Sequence, residues 1–154
     1  MRIFLLSLCF FVFMAAGIPA ESFFEEGEKF FIDNNPEKAV PLLELAVSRE
    51  PENEKAFLYL GIAYEQLGKY DRAVGVLKQG IGVAKRYTDT LFFNLGNNLF
   101  KLGQFAAAAD AYAEALKVNP SNADAYLNRA NTQVKIEDYT GAVENYRTYL
   151  SLRP

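Results

Sequence analysis

The sequence contains no histidine, and its single cysteine, Cys9, lies in an apolar stretch at the N-terminus. Histidine is the side chain that most often serves as a general base near neutral pH. One cysteine cannot form an internal disulfide, and once the N-terminal stretch is removed no thiol remains for catalysis or metal binding. These absences argue against thiol enzymes, thiolate metal sites and hydrolases that depend on histidine.

Motifs that hold nucleotides or metals are also missing. The sequence has no G-x4-G-K loop and no G-x-G-x-x-G after a predicted strand. Neighbouring carboxylates such as Glu25 and Glu28 lack the spacing of a calcium loop and are typical of a solvated helix face. We therefore expect no enzyme activity, no metal and no cofactor. Acid–base catalysis by a carboxylate pair is the alternative.

The chain also lacks an excess of positive charge, with a formal net charge of −3 over 154 residues. This argues against a nucleic-acid partner, because proteins that bind the phosphate backbone normally carry a basic surface. The charge is uneven: residues 21–53 carry nine acidic and three basic side chains, and residues 54–154 carry ten and twelve. The hydrophobic content of 51% is that of an ordinary folded domain.

Residues 1–20 have the layout of a secretory signal peptide. Arg2 precedes an apolar run that is shorter than the ~20 residues needed by a membrane-spanning helix, and small residues with Pro19 follow. A cleaved signal peptide is therefore favoured over an uncleaved membrane anchor. Lipidation at Cys9 is disfavoured, because Leu8 stands where a lipoprotein site has a small residue. This predicts export to a periplasm or cell envelope, with a secretory lumen as the alternative.

The remainder of the chain repeats a pattern of about 34 residues four times. Its apolar residues recur at steps of three and four, which places them on one face of a helix. Gly96 and Ala108 are small enough to let two helices approach closely, Gly103 suits a left-handed turn, and Pro120 ends the second helix. In its clearest copy the pattern occupies Phe92, Leu95, Gly96, Leu99, Gly103, Phe105, Ala108, Tyr112, Ala115 and Pro120.

These ten positions resemble the signature of the tetratricopeptide repeat. The resemblance implies an all-α fold, an α-solenoid of antiparallel helix pairs wound into a right-handed superhelix with a concave inner face. After the signal peptide at 1–20, the predicted repeats span residues 21–53, 54–88, 89–122 and 123–154.

Some positions depart from the pattern. Glu26 and Pro36 replace the usual leucine and aromatic, which makes the first repeat the least regular. Pro41 indicates that the second helix of this repeat starts later than Pro36 or kinks. In repeat two, each of three helical glycines lowers helix stability by up to ~1 kcal/mol relative to alanine. The favoured explanation is close helix packing or sequence drift without effect, and the alternative is a flexible joint in the solenoid. These glycines are Gly75, Gly80 and Gly82.

The resemblance also implies that the first helix of each pair lines the concave groove. Two asparagine pairs fall at groove positions, and a three-residue spacing places each pair on one helix face. A primary amide both donates and accepts, so it suits the backbone of an extended peptide; chaperone-binding members of the family resemble this arrangement. The predicted peptide-binding residues are Asn94, Asn97, Asn128, Asn131, Phe93, Phe100, Lys101 and Lys135.

Chaperone-binding members of the family also place Lys or Arg near these asparagines to hold a terminal carboxylate. Here Phe93 and Leu127 occupy one such basic position and Asp124 occupies another, so we do not predict a carboxylate grip. Because Glu25 and Glu28 make the first repeat acidic, we expect the basic part of a ligand to lie toward that repeat. Structural or water-bound asparagines are the alternative to a peptide site.

The sequence thus predicts a non-catalytic scaffold that binds a protein or peptide segment in its concave groove. One alternative is a self-assembling module, because no polar capping helix follows repeat four and Tyr149, Leu150 and Leu152 are expected to be exposed. A fragment of a longer protein would have the same appearance. Another alternative is a small-ligand-binding accessory of an envelope transporter. A membrane partner is expected only if residues 1–20 stay uncleaved.

Overall fold

The computed structural model describes residues 20–153, and their regular structure is entirely α-helical. The predicted signal peptide lies outside the described residues except for Ala20. None of the helices in this part of the chain is both long and apolar enough to cross a membrane. The helices are α1 (Ala20–Ile32), α2 (Pro36–Arg49), α3 (Glu54–Gln66), α4 (Tyr70–Val83), α5 (Thr88–Lys101), α6 (Phe105–Val118), α7 (Ala123–Lys135) and α8 (Tyr139–Leu152).

These helices form four pairs that stack in chain order. Each helix packs against its partner in the pair, and the second helix of one pair packs against the first helix of the next. Along the described chain, successive first helices also touch one another, α1 with α3, α3 with α5 and α5 with α7, whereas successive second helices do not. The first helices therefore line the inner side of the curved stack. The predicted all-α solenoid of helix pairs is confirmed.

Polar residues just before several helices fix where those helices begin. The side-chain oxygens of Asn35, Asn53, Asn122 and Asp138 each accept a hydrogen bond from the backbone N–H three residues later. Each such cap stabilises its helix by about 1 kcal/mol, because it gives a partner to an N–H that has none within the helix. The caps set the start of α2, α3, α7 and α8.

The turn between the helices of a pair has a left-handed residue at the same place each time. Gly68 and Gly103 have φ of 69° and 74°, which confirms the left-handed turn predicted at Gly103. Asn34 and Glu137 take the equivalent place in the first and last pairs, with φ of 53° and 62°. A residue with a Cβ atom pays ~1–2 kcal/mol for this conformation, so the last turn carries strain at Glu137.

Small residues at the crossing of each pair allow close packing. A Cβ atom at Gly61 would lie 2.6 Å from Leu77 Cγ, and one at Gly96 would lie 2.6 Å from Tyr112 Cε1. Ala108 and the equivalent alanines of the other pairs are buried on the facing helix. The expected close approach of the paired helices is therefore confirmed.

The glycines of α4 differ in their surroundings. A Cβ at Gly80 would lie 2.7 Å from Phe57 Cβ, so this glycine is required for packing against α3. At Gly75 and Gly82 a Cβ would meet no atom within 4 Å, so packing does not explain them. In α2, the helix starts at Pro36 and runs on through Pro41. The later start considered for α2 is therefore wrong.

The connection between α4 and α5 is held by one carboxylate. Glu54, at the start of α3, accepts hydrogen bonds from the backbone N–H groups of Lys85, Arg86 and Tyr87. Repeat two has one extra residue here and no proline to end its second helix. The bonds from three consecutive amides tie this irregular connection to the preceding pair.

The last pair leaves an apolar face uncovered. Leu150 is 63% exposed and Val143 is 47% exposed, whereas the equivalent residues of the third pair, Leu116 and Ala109, are 7% and 9% exposed. Leu150 and Leu152 are exposed as predicted, whereas Tyr149, also predicted to be exposed, is half-buried. In the earlier pairs this face is covered by the pair that follows.

Candidate functional site

A cavity of about 330 Å³ opens on the inner side of the stack, where α3, α5 and α7 meet. We call it the Asn97 cavity. Its walls combine amides, two aromatic rings and one charge of each sign. The lining residues are Glu65 of α3, Asn97, Phe100 and Lys101 of α5, Tyr112 of α6, and Asn128 and Asn131 of α7.

Three of the side chains that line the cavity form a hydrogen-bonded group. Asn97 Oδ1 accepts from the Tyr112 hydroxyl at 2.8 Å and from Asn128 Nδ2 at 3.1 Å. Both bonds fall on the oxygen, so neither uses the amide nitrogen of Asn97. That nitrogen has two N–H groups, which suit the carbonyl oxygens of an extended peptide.

Tyr112 reaches the cavity from a second helix because of a glycine. Its ring packs so closely on Gly96 that a Cβ there would lie 2.6–2.9 Å from three ring atoms. The ring therefore lies across α5 and brings its hydroxyl to the inner side. Burial raises the pKa of Tyr112, and the charge of Glu65 raises it further. The hydroxyl consequently stays protonated at neutral pH and remains a donor to Asn97.

The same tyrosine–asparagine pair recurs in the last helix pair. The Tyr146 hydroxyl donates to Asn131 Oδ1 at 2.7 Å. In the first two pairs the tyrosine position holds Leu43 and Leu77 instead, and both leucines are fully buried. The amide-rich part of the inner side is therefore confined to the C-terminal half of the described chain.

Glu65 brings a negative charge into the wall of the cavity. Its Oε2 accepts a hydrogen bond from Asn98 Nδ2 at 3.0 Å. Burial raises the pKa of Glu65, and the bond from Asn98 and the charge of Lys101 only partly oppose this effect. Asn98 is fully buried and also donates to the Asn94 carbonyl at 2.8 Å. The position of Glu65 is thus fixed by a buried amide of the next pair.

The eight residues predicted for the site divide into two groups. Asn94 Nδ2 donates to the Thr90 carbonyl of its own helix at 2.8 Å, and Phe93 packs on Tyr112 with ring centres 5.9 Å apart. Neither residue lines the cavity, and neither does Lys135, which is exposed. The other five, which the fold brings together, are Asn97, Asn128, Asn131, Phe100 and Lys101.

Two lining residues, Tyr112 and Glu65, were absent from the predicted site. The repeat pattern explains Tyr112 by packing alone. Glu65 occupies the same groove position in repeat two as Phe100 in repeat three, so the resemblance places it on the inner side without marking it as a binding residue. A usable signal for Tyr112 is its pairing with Asn97, since the same Asn–Tyr separation of 15 residues recurs only at Asn131 and Tyr146.

The N-terminal half of the inner side has different chemistry. Tyr59 stacks on Phe31 with ring centres 4.5 Å apart, and its ring lies 6.2 Å from that of Phe24. Lys55 Nζ lies 2.6 Å from Glu28 Oε1, and 5.6 Å and 5.3 Å from the ring centres of Phe24 and Tyr59. The hydrogen bond to Glu28 raises the pKa of Lys55. In this region the chain itself supplies the cation for Glu28.

Comparison with known protein families agrees with the repeated helix pairs. Two models described as tetratricopeptide repeat match residues 30–86 and 93–154. The chain belongs to the tetratricopeptide repeat family. Such repeats are an interaction fold whose curved stacks present extended concave surfaces.

Curated tetratricopeptide relatives match parts of the chain. Small glutamine-rich tetratricopeptide repeat-containing protein beta of Homo sapiens is 44% identical over 50 residues, 32% of this chain and 16% of the relative. RNA polymerase II-associated protein 3 of Xenopus tropicalis is 31% identical over 103 residues, 66% of this chain and 16% of the relative. The chain therefore spans about a sixth of the length of these relatives.

Solved structures of the tetratricopeptide fold superpose over most of the chain. A crystal structure of MamA has a TM-score of 0.84 at 19% identity, covering 92% of this chain and 82% of that one. MamA from Desulfovibrio magneticus RS-1 has a TM-score of 0.80 at 21% identity, covering 88% and 76%. At these identities the likeness establishes the fold.

Proposed function

We propose that this tetratricopeptide repeat protein is a non-catalytic scaffold that binds an extended segment of a partner protein along its inner side. The observation that carries the proposal is the Asn97 cavity. It places amide groups and aromatic rings on the concave surface that this fold uses for binding. Its volume of about 330 Å³ suits one or two side chains of a bound segment.

The amides support recognition of a peptide backbone. Asn97 and Asn131 each use the side-chain oxygen to accept from a tyrosine, which fixes the orientation of the amide while the nitrogen keeps its donors. Preorganised donors reduce the entropy lost on binding. Phe100 adds an apolar wall, and its ring is fixed by an edge contact with Phe105 at 5.2 Å between ring centres.

The test is a crosslinking pull-down with the whole chain from its native envelope fraction, followed by affinity measurement with the captured segment. Asn97→Ala combined with Asn131→Ala is expected to weaken binding at least tenfold. Asn94→Ala is the matched control, because it removes an amide of the same helix as Asn97 whose side-chain bond, among the described residues, is to the Thr90 carbonyl. Equal binding by all three proteins, with unchanged helical melting curves, would place the partner on another surface.

We further propose that the protein is exported and acts in a periplasm or cell envelope. The proposal rests on the signal-peptide layout of residues 1–20. Fractionation of the native cells, with N-terminal sequencing of the recovered protein, tests it. Recovery in the envelope with an N-terminus after Gly17 or Ala20 is expected, whereas an intact Met1 in the cytoplasm contradicts it.

Self-assembly is a second candidate function, favoured by the apolar face of α8. Leu150 and Val143 are exposed where the equivalent residues of the third pair are buried, and burying such surfaces contributes about 25 cal/mol per Å². If two copies join through this face, light scattering will show a mass that rises with concentration. Leu150→Lys will return it to the monomer value, and the same change at the exposed Val118 of α6 is the control.

A further inference from the structure

We infer that the Asn97 cavity takes a lysine or arginine side chain of the bound segment, with the Glu65 carboxylate as its counter-ion. The inference rests on the proposed function, because it names the chemistry of the segment that the groove would bind. Three observations support it: a carboxylate without an ion pair, an aromatic wall beside that carboxylate, and a related unit elsewhere on the inner side. Lys101, a lysine of the chain itself, competes with the incoming cation.

The carboxylate of Glu65 is poorly compensated by the rest of the protein. Within the described residues no Lys or Arg nitrogen lies within 4.0 Å of it; the pairs at that distance are Glu28–Lys55, Glu114–Lys117 and Asp124–Arg153. Glu65 is also the penultimate residue of α3, where the helix dipole disfavours negative charge. A partly buried carboxylate with one hydrogen-bond donor and no ion pair within 4.0 Å is stabilised by an incoming cation.

The walls of the cavity suit a cation on an aliphatic stem. Phe100 lines it beside Glu65, and aromatic rings attract ammonium and guanidinium groups. Tyr112 also lines it but is only 2% exposed, so Phe100 is the main aromatic contact. The hydroxyl of Tyr112 points its proton at Asn97, so it does not oppose a cation. Asn97 and Asn128 are placed to hold the backbone beside that side chain.

The chain already builds such a unit once. At the other end of the inner side, the Lys55 ammonium contacts the Glu28 carboxylate and lies over the rings of Phe24 and Tyr59. At the Asn97 cavity the acid and the two rings are present, but the chain places no ammonium on the acid. A lysine or arginine of the partner completes the same arrangement.

Lys101 is the internal competitor. It lines the cavity and its charge acts on Glu65. Its side chain is exposed and makes no ion pair within 4.0 Å among residues 20–153. A cation from the partner must therefore tolerate Lys101 nearby. Replacing Lys101 by methionine is expected to strengthen binding of a basic segment severalfold, whereas an acidic segment would bind less well because its charge would face Glu65 alone.

The experiment is selection from a library of acetylated and amidated hexapeptides by the purified whole chain, so that terminal charges play no part. Lysine or arginine is expected to be favoured at least tenfold over norleucine at one position. Glu65→Gln is expected to abolish that preference and still fold, since the glutamine oxygen can accept from Asn98. Glu144→Gln, an equal change of charge at an exposed site on α8, is expected to keep the preference.

The outcomes separate the two proposals. No basic preference at any position, or a preference that survives Glu65→Gln, overturns the inference even if peptides bind through Asn97. A preference lost in Glu65→Gln but unchanged in Lys101→Met, with circular dichroism showing intact folds, still supports the pairing and removes Lys101 as a competitor. If no peptide binds, or if binding is unaffected by Asn97→Ala, the proposed peptide groove itself is rejected along with the inference.

Discussion

At the scale of single residues, stability is most open to improvement where a residue with a side chain holds a backbone conformation that favours glycine. Glu137 holds a left-handed φ of 62° at the turn where Gly68 and Gly103 stand in the middle pairs. Its side chain is exposed, so no burial offsets the strain. The last pair therefore carries a cost that a glycine would remove.

Glu137→Gly is expected to raise the free energy of unfolding by about 0.5–1 kcal/mol. The gain is smaller than the ~1–2 kcal/mol strain of a left-handed residue with a Cβ, because glycine has more freedom in the unfolded chain. Urea denaturation measures it. Gly103→Ala, the reverse change in the third pair, is expected to lower stability; a loss of stability in Glu137→Gly would show that the turn is not strained.

The two types of glycine in α4 predict opposite effects of alanine. Gly75→Ala is expected to stabilise the protein by up to about 1 kcal/mol, since the Cβ enters open space and alanine is the better helix former. Gly80→Ala is expected to destabilise it, because the new Cβ would lie 2.7 Å from Phe57 Cβ. Thermal melts compare the two variants, and equal shifts of the melting temperature with the same sign would refute the packing role of Gly80.

At the scale of elements, connections between pairs determine how firmly the stack holds together. The α4–α5 connection depends on Glu54 as the acceptor for three consecutive N–H groups. Burial raises the pKa of Glu54, but the hydrogen bonds from Lys85, Arg86 and Tyr87 and the charge of Arg86 outweigh it, so the pKa is held below the ordinary 4.5. The ionised form is therefore favoured by folding.

This connection predicts a pH-dependent contribution to stability. A carboxylate whose folded pKa is lowered stabilises the protein above its unfolded pKa, and the effect is lost as pH falls through the folded pKa. Glu54→Gln should therefore cost about 1 kcal/mol at pH 7, and the difference from the unmodified chain should shrink below pH 4.5. Chemical denaturation across pH measures it, with Glu52→Gln as the neighbouring control. A constant difference would contradict this role.

At the scale of the whole molecule, the repeat pattern was sufficient to predict the fold. Small residues such as Gly96 and Ala108 determine where helices cross, and apolar residues at steps of three and four determine which faces are buried. The resemblance to the repeat family placed Asn97, Asn128 and Phe100 on the inner surface. These features repeat along the chain, so the sequence of each repeat is enough to predict them.

The parts of the site that were not predicted depend on contacts between pairs. Asn94 has the same residue type as Asn128, but its amide is satisfied within its own helix. Glu65 lies at a groove position, but its carboxylate is held in the cavity wall by buried Asn98, 33 residues away, which donates to it. Glu54 likewise accepts hydrogen bonds from backbone N–H groups 31 to 33 residues away. Periodicity contains no information about such pairings, because each involves side chains that differ between repeats.

The contact pattern of the helices also bears on how the protein folds. Within residues 20–153 each helix contacts its neighbours in chain order, and successive first helices also contact one another, so no long loop has to close before these native contacts form. Chains dominated by such local contacts fold in microseconds to milliseconds, and folding can begin at any pair and spread in either direction. The last pair buries Asn145 and Gln133, which hydrogen-bond to each other, in place of apolar groups. Amide hydrogen exchange should therefore be fastest in α7 and α8, because unfolding starts in the last pair. The Asn97 cavity would then lose the wall formed by α7 before its other walls.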